Sequence, residues 1–332
     1  MDGHAAALGA PRHGVALTGV RLAVLGDPPD DCLRRVERAW PEATPVDQGP
    51  AEAVLAWTYD PEPLLDLLGA GPAPAWVQTR SVGVDPRIAA LLQPARTVLT
   101  TGRGAHGAAV AEHVVVLLLT LLRRVPELLR AQSERRWLDP FELRELAGCT
   151  VGVLGLGDVG EQCARLLAAF GTRVRGLRRT ARGVTDDPPE FPQLSAVYGP
   201  DRLAAFLTGL DVLVVAVPLT ACTRGLVGAA ELGRLAPDAL LVNVGRGPVV
   251  DQDALVRALC SGRLGGAALD VLDVEPLPPD SGLWTTPNLL ISPHCADRTP
   301  ATDERFVAGY LDRIARYRRG EPLTGFDPVT GY

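Results

Sequence analysis

The sequence predicts an α/β protein of two doubly wound parallel-sheet domains with a cleft between them. Three observations carry this expectation. Short continuous apolar runs alternate with segments of helical spacing from residue 20 onward, and a glycine-rich stretch from Gly102 to Gly107 divides them into two series. The second series opens on a strand, a glycine turn and a helix in immediate succession. With 332 residues, 47% of them hydrophobic, the chain has enough apolar material for two cores and more than one comfortable core uses.

Taken in order, residues 1–18 are small, polar and aperiodic, and are expected to form a loose extension. Val20 to Leu25 is an apolar run ending in Gly26-Asp27-Pro28-Pro29, which reads as a buried strand closed by a turn. Ala53 to Trp57 and Trp76 to Thr79 read the same way; the first stops before Tyr59-Asp60-Pro61 and the second leads into Ser81-Val82-Gly83-Val84-Asp85. Cys32 to Ala39 and Leu64 to Leu68 have helical spacing between them. Ala108 to Gln132 reads as one helix of about 25 residues, or about 37 Å. The domain junction is expected at its amino end, with residues 1–107 and 299–332 forming one discontinuous domain and 108–298 the other.

Residues 134–148 are polar and irregular. Beyond them Val151 to Leu154, Arg173 to Leu177, Val212 to Val217, Leu240 to Val244, Ala267 to Val271 and Asn288 to Ser292 read as strands. Gly160 to Phe170 and Asp201 to Leu207 read as helices of the same series. The helical pattern from Thr302 to Arg319 has no strand of its own and is expected to return to the first domain. The chain has neither a defensible internal repeat nor a low-complexity tract.

Composition excludes several classes of function. A net charge of −6, without a basic run, argues against nucleic-acid binding, which needs phosphate neutralisation. All 33 basic residues are Arg, so Schiff-base lysine chemistry, a Walker-type phosphate lysine and a Ser-Lys dyad are excluded. The six cysteines form neither a CxxC pair nor a zinc spacing and are expected to be free thiols in a reducing compartment, with no metal bound. The amino end has no charged-then-apolar leader, and the longest apolar run, Val114 to Leu122, is far short of the ~20 residues that span a bilayer. A cytoplasmic protein without membrane contact is expected.

The strand Val151 to Leu154 runs directly into Gly155-Leu156-Gly157-Asp158-Val159-Gly160, a GxGxxG turn with strand before and helix after. Gly155 permits the tight turn, Gly157 lets backbone N–H groups approach a pyrophosphate, and Gly160 allows close packing of helix on strand. The anion then sits at the positive end of a helix dipole. This defines a Rossmann-like dinucleotide-binding domain. At the end of the next strand an acidic residue would bind the ribose hydroxyl of NAD, but here stand Arg178 and Arg179, with no carboxylate before Asp186. Two guanidiniums suit a 2′-phosphate, so NADP is expected over NAD; the alternative is a solvated strand end.

Further strand ends carry Asn243-Val244-Gly245-Arg246-Gly247, Asp270-Val271-Leu272-Asp273-Val274-Glu275-Pro276 and Ser292-Pro293-His294. In an open parallel sheet these ends line the ligand crevice. Hydride transfer to a ketone needs a proton donor with near-neutral pKa, which His294 supplies. It needs a carboxylate that favours the protonated imidazole, which Glu275 supplies, and a fixed cationic fork for the substrate, which Arg246 supplies. Singly, each has a bland alternative: a structural histidine, a turn-capping glutamate, an ion-pairing arginine.

Together with Gly83 and Asp85, Val110-Ala111-Glu112-His113 and Val217-Pro218-Leu219-Thr220, these motifs resemble the D-isomer-specific 2-hydroxyacid dehydrogenase family over nearly the whole chain. Trp57, the Arg178-Arg179 pair and Glu275-Pro276-Leu277-Pro278-Pro279 are most similar to its NADPH-dependent glyoxylate/hydroxypyruvate reductases. The resemblance implies flavodoxin-like and Rossmann-like domains, reduction of a small 2-oxo acid to the D-2-hydroxy acid, and a homodimer formed through the cofactor domains. It implies that Arg246 binds the substrate carboxylate and carbonyl, that His294 is the general acid/base and that Glu275 orients it. Backbone N–H groups at Val82 and Gly83 would hold the substrate carboxylate, with Trp57 and Arg80 beside them. Cofactor contacts beyond the glycine turn and the two arginines would come from Val217, Pro218 and Thr223, from Val244, Gly245 and Arg246, and from Asp270, His294 and Ala296, with Asp270 either contacting the nicotinamide or organising the site.

The chain departs from commoner relatives at Cys149-Thr150, at Arg80 and at Cys295-Ala296-Asp297-Arg298. If Arg80, Arg103, His106 and Arg298 face the substrate, a dianionic 2-oxo acid is favoured; otherwise they are solvated. Two rival functions share the scaffold. One is oxidation of a small anion such as phosphite or formate, although formate enzymes have Gln where Glu275 stands. The other is a dinucleotide-sensing corepressor.

Overall fold

The computed structural model describes residues 19–47, 49–92, 96–139 and 142–326. The expected loose extension, residues 1–18, lies outside them. Two compact units emerge: the first runs to His106 and resumes at Pro300, and the second runs from Gly107 to Thr299.

The first unit holds a five-stranded sheet of β1 (Val20–Gly26), β2 (Ala43–Val46), β3 (Ala53–Trp57), β4 (Trp76–Thr79) and β5 (Val98–Thr100), all parallel, in the order β2-β1-β3-β4-β5. This is the flavodoxin-like winding, whose switch point falls between the carboxyl ends of β1 and β3. Gly26 and Trp57 meet there: Gly26 has φ +85°, and a Cβ on it would sit 2.2 Å from the Trp57 carbonyl oxygen, so only glycine fits. One face of the sheet buries Trp40, Trp76, Phe306, Tyr310 and Ile314; the other buries Val54, Val77, Leu64 and Ile88. The carboxyl-terminal helix Pro300–Arg318 therefore packs into the first unit's core, as its pattern predicts. Short helix Pro86–Leu91 is capped by Asp85, whose carboxylate accepts the Arg87 N–H.

The second unit holds β6 (Thr150–Leu154), β7 (Arg173–Leu177), β8 (Val184–Asp186), β9 (Ala196–Tyr198), β10 (Val212–Val215), β11 (Ala239–Asn243), β12 (Leu264–Leu269) and β13 (Leu289–Ile291). Their order is β13-β12-β11-β10-β6-β7-β9-β8, parallel except for β8 on β9, and the switch point lies between β6 and β10. Helices Gly107–Leu122 and Asp158–Ala169 cover one face through Val114, Leu118, Cys163 and Leu167; Phe206, Leu210, Leu255 and Leu259 fill the other.

Several elements differ from those the sequence pattern predicts. The single helix expected over Ala108 to Gln132 is two, Gly107–Leu122 and Val125–Ser133, broken where Arg124 turns left-handed with φ 51°. Pro126 causes the break, because it has no N–H to donate and its ring clashes with the preceding turn. Strands expected to end at Val217, Val244 and Val271 end earlier, so Val217 and Val244 lie just past strand ends. Strands β2, β5, β8 and β9 and helices Pro86–Leu91 and Gln252–Cys260 have no counterpart in the sequence reading. Among the described residues no helix is long and apolar enough to cross a membrane, and all six cysteines are unpaired.

Candidate active site

At the β6 end of the second unit the glycine turn is sterically obligatory. Gly155 has φ +104°, and a Cβ there would lie 2.7 Å from Val217 and 2.8 Å from the Ala216 carbonyl oxygen. A Cβ on Gly160 would sit 1.8 Å from the Gly155 carbonyl oxygen. Leu156 is buried against Gly176, and Gly157 precedes the helix that starts at Asp158 and Val159. The Asp158 carboxylate accepts the Gly107 N–H at 3.1 Å, so that side chain is committed to the amino end of the neighbouring helix.

Arg178 and Arg179 follow β7 directly. Arg178 is half-buried, with its guanidinium 5.4 Å from the Phe191 ring centre, while Arg179 is exposed. Past β10, Thr223 donates its hydroxyl to the Pro218 carbonyl at 2.6 Å and accepts the Thr220 N–H at 2.7 Å, which closes the Val217–Pro218 loop into a fixed turn. Past β11, Asn243 braces Val244, Gly245 and Arg246: its amide oxygen accepts the Gly245 N–H at 3.0 Å and its amide nitrogen donates to the Arg246 carbonyl at 3.1 Å.

The three residues singled out for chemistry converge. Glu275 uses both oxygens: Oε1 accepts the Leu272 N–H at 2.7 Å, and Oε2 lies 2.8 Å from Nδ1 of His294. Burial pushes the Glu275 carboxyl up, but the bonds to His294 and Leu272 and the charges of His294 and Arg246 outweigh it and hold the group below its ordinary range. Arg246 donates through Nη1 to the Gly245 carbonyl at 2.6 Å. Burial pulls its guanidinium down against the opposing charges of Glu275 and Asp297.

His294 has φ 48°, an unfavourable conformation for a residue with a Cβ. Asp270 holds it there. The Asp270 backbone carbonyl accepts the His294 N–H at 2.9 Å, and its buried carboxylate accepts the N–H groups of Cys295 at 3.0 Å and Ala296 at 3.3 Å and the Ser292 hydroxyl at 2.6 Å. His113 joins this network, with Nε2 3.0 Å from the Ser292 oxygen and 3.5 Å from Asp270. The link of His113 to Ser292, 179 positions away, has no local signal in the sequence. His113, Asp270 and Cys295 place ligand-type atoms within 4.8 Å of one another. The Asp270 oxygens already accept an O–H and two N–H donors, and burial and the Asp270 charge push the Cys295 thiol up, so hydrogen bonding accounts for the cluster.

The first unit carries the remaining candidates. Ser81 donates its hydroxyl to the Gly83 carbonyl at 2.9 Å, which shapes the half-buried Val82–Gly83 loop after β4. Arg80 precedes that loop and is 6% exposed. Its Nη2 is paired with Asp303, and its guanidinium carbon lies 5.4 Å from the Trp57 ring centre and 4.7 Å from that of Tyr59. Nε and Nη1 are buried and have no hydrogen-bond partner among the described residues. A buried donor left in that state costs about 1–3 kcal/mol. His106 is a support: its Nε2 is 3.0 Å from the Arg80 carbonyl oxygen. Arg103 lines a separate depression of this unit with Arg313 and Arg316. The Arg298 backbone N–H donates to the Cys295 carbonyl at 3.1 Å.

The chain is similar to known proteins over most of its length. Residues 115–296 match the family model of the D-isomer specific 2-hydroxyacid dehydrogenase NAD binding domain. The chain is 33% identical to a glyoxylate reductase of Aeropyrum pernix, over 77% of each protein. It is 30% identical to glyoxylate/hydroxypyruvate reductase A of Escherichia fergusonii, over 86% of this chain and 89% of that protein. Among solved structures it is similar to a D-isomer specific 2-hydroxyacid dehydrogenase of Xanthobacter autotrophicus in complex with NADPH and MES. That match has TM-score 0.78 and 32% identity and covers 95% of this chain and 100% of that one. An NADPH-dependent glyoxylate/hydroxypyruvate reductase of Sinorhizobium meliloti, in complex with NADP and sulfate, matches with TM-score 0.76 and 29% identity over 94% and 100%. The chain belongs to the D-isomer-specific 2-hydroxyacid dehydrogenase family and is an oxidoreductase with a nicotinamide dinucleotide-binding unit.

Proposed function

We propose that this chain catalyses the NADPH-dependent reduction of a small 2-oxo acid, of the glyoxylate or hydroxypyruvate kind, to its D-2-hydroxy acid. The observation that carries the reading is the Glu275–His294 pair. With Nδ1 2.8 Å from Oε2, and the other carboxylate oxygen held by a backbone N–H, the ring is fixed and its Nε2 edge is left for the substrate oxygen. The reductase names of the relatives and the NADPH and NADP in neighbouring structures support the same reading.

The glycine turn fits a dinucleotide, since its close approaches at Gly155 and Gly160 keep side chains away from the amino end of the helix that starts at Asp158. Arg178 and Arg179 suit the additional phosphate of NADP, and the loops at Val217–Pro218–Thr223, Val244–Gly245 and Asp270–Ala296 complete the cofactor wall. The cofactor supplies the hydride when bound. Arg246 orients the substrate carboxylate and carbonyl and stabilises charge developing on the carbonyl oxygen. His294 delivers a proton from Nε2 to that oxygen, while Glu275 stabilises the imidazolium. Asp270 is a positioning residue that fixes the His294 backbone. Val82 and Gly83 offer N–H groups to the substrate carboxylate, with Trp57 beside them.

We also infer pairing of two copies through the second unit, because Val116, Leu129 and Trp137 are 58%, 60% and 95% exposed. The functional reading is tested by following the loss of NADPH absorbance with glyoxylate and hydroxypyruvate. Turnover yielding a D-2-hydroxy acid supports it. Tight NADPH binding without turnover of any 2-oxo acid points instead to a dinucleotide sensor, and phosphite-dependent reduction of NADP points to small-anion oxidation.

A further inference from the structure

We propose that Arg80 forms an anion subsite in the first unit that selects 2-oxo acids bearing a second, distal carboxylate or phosphonate group. The inference rests on the 2-oxo acid reductase reading above and narrows its substrate class.

Arg80 stands immediately past the carboxyl end of β4, beside the carboxyl end of β3, where an open parallel sheet binds its ligands. It is two and three residues from Val82 and Gly83, the backbone donors assigned to the first carboxylate. Its guanidinium is set from three sides: Asp303 fixes Nη2, and the rings of Trp57 and Tyr59 lie 5.4 and 4.7 Å from its central carbon. This arrangement holds a planar fork in one orientation before any ligand arrives.

What the setting lacks is an acceptor. Nε and Nη1 carry three N–H donors, lie out of contact with solvent, and have no partner among the described residues. A buried charged donor of this kind calls for an acceptor that the chain does not supply. Asp303 already balances the charge, so the subsite recognises by directed N–H bonds, and a group with several acceptor oxygens answers them best. Tyr59, 45% exposed, is the solvent-side wall of the subsite. The Asp303 pairing also explains why the subsite is built on arginine: a lysine holds one acceptor as a point charge and leaves no second fork edge.

The test compares kcat/KM with NADPH for glyoxylate and hydroxypyruvate, which have one anionic group, and for oxaloacetate and phosphonopyruvate, which have two. The wild-type enzyme should favour the dianionic pair, and the two dianions report separately on carboxylate and phosphonate. In Arg80→Gln the ratio of dianionic to monoanionic kcat/KM should fall by about 10- to 100-fold, mostly through KM, as expected for loss of charge-assisted hydrogen bonds. The double variant Arg80→Gln, Asp303→Asn leaves no unpaired carboxylate beside the new amide and should give the same fall if the single variant folds poorly. An unchanged ratio in both variants overturns the proposal, as does a wild-type enzyme that reduces glyoxylate but neither dianion. A wild-type enzyme that reduces none of the four compounds overturns the reductase reading itself.

Discussion

Two clusters of polar groups, one in each unit, are treated in opposite ways. In the second unit the Asp270 carboxylate takes three donors, Glu275 takes two, and Asn243 braces the Arg246 turn from both ends of its amide. In the first unit a buried arginine has two nitrogens with no partner among the described residues and is walled by aromatic rings. A network that is complete within the protein can hold a strained backbone, such as His294 at φ 48°, in one geometry; an incomplete one awaits an acceptor from outside. On the proposed reading the second unit carries the reaction and the first the choice of substrate.

The sharpest way to break the comparison is at the glycine turn. Gly160→Ala puts a methyl carbon 1.8 Å from a backbone oxygen, so the helix must move off the strand. NADPH binding by fluorescence titration should be lost, and the variant should melt earlier; retained binding would mean that the close approach is dispensable.

Glu275→Gln should lower kcat by about 100-fold, within the range of general acid–base effects. In the wild type the Glu275 carboxyl is held below its ordinary value near 4.5, so its contribution to stability is present above that value and is lost as pH falls through the lower folded one. Stability measured against pH should therefore fall across that acidic window in the wild type, and Glu275→Gln should lack this step.

Arg178→Asp should turn the NADPH-to-NADH ratio of kcat/KM toward NADH by about 10- to 100-fold, the effect of one or two charge-assisted bonds. An unchanged ratio would reduce Arg178 to a cation stacked on Phe191. Asp85→Ala should have the smallest effect, about 1 kcal/mol of stability from a lost helix cap and read by urea unfolding, since Asp85 caps the helix after the Val82–Gly83 loop.

Most of this architecture was legible where chemistry and local pattern coincide. The glycine turn could be read because strand, turn and helix are contiguous, and Arg246, Glu275 and His294 because each follows an apolar strand. The helix break at Arg124 is hidden in the sequence because the apolar spacing continues across it on both sides of Pro126. Strands β2, β5, β8 and β9 have three or four residues each, too few for period to distinguish strand from loop. The partners of Asp270 and Arg80 were not legible because they are remote: Asp270 braces residues 25 and 26 positions away, and Arg80 meets Asp303 across 223. Such contacts arise only from the tertiary fold.

The central claim, that a fixed His294 completes the reaction in the second unit, is tested most directly by His294→Ala, measuring kcat with the best 2-oxo acid beside the Kd for NADPH. The account predicts a fall in kcat of about 1,000-fold or more with the Kd for NADPH essentially unchanged. Turnover near the wild-type rate would contradict it.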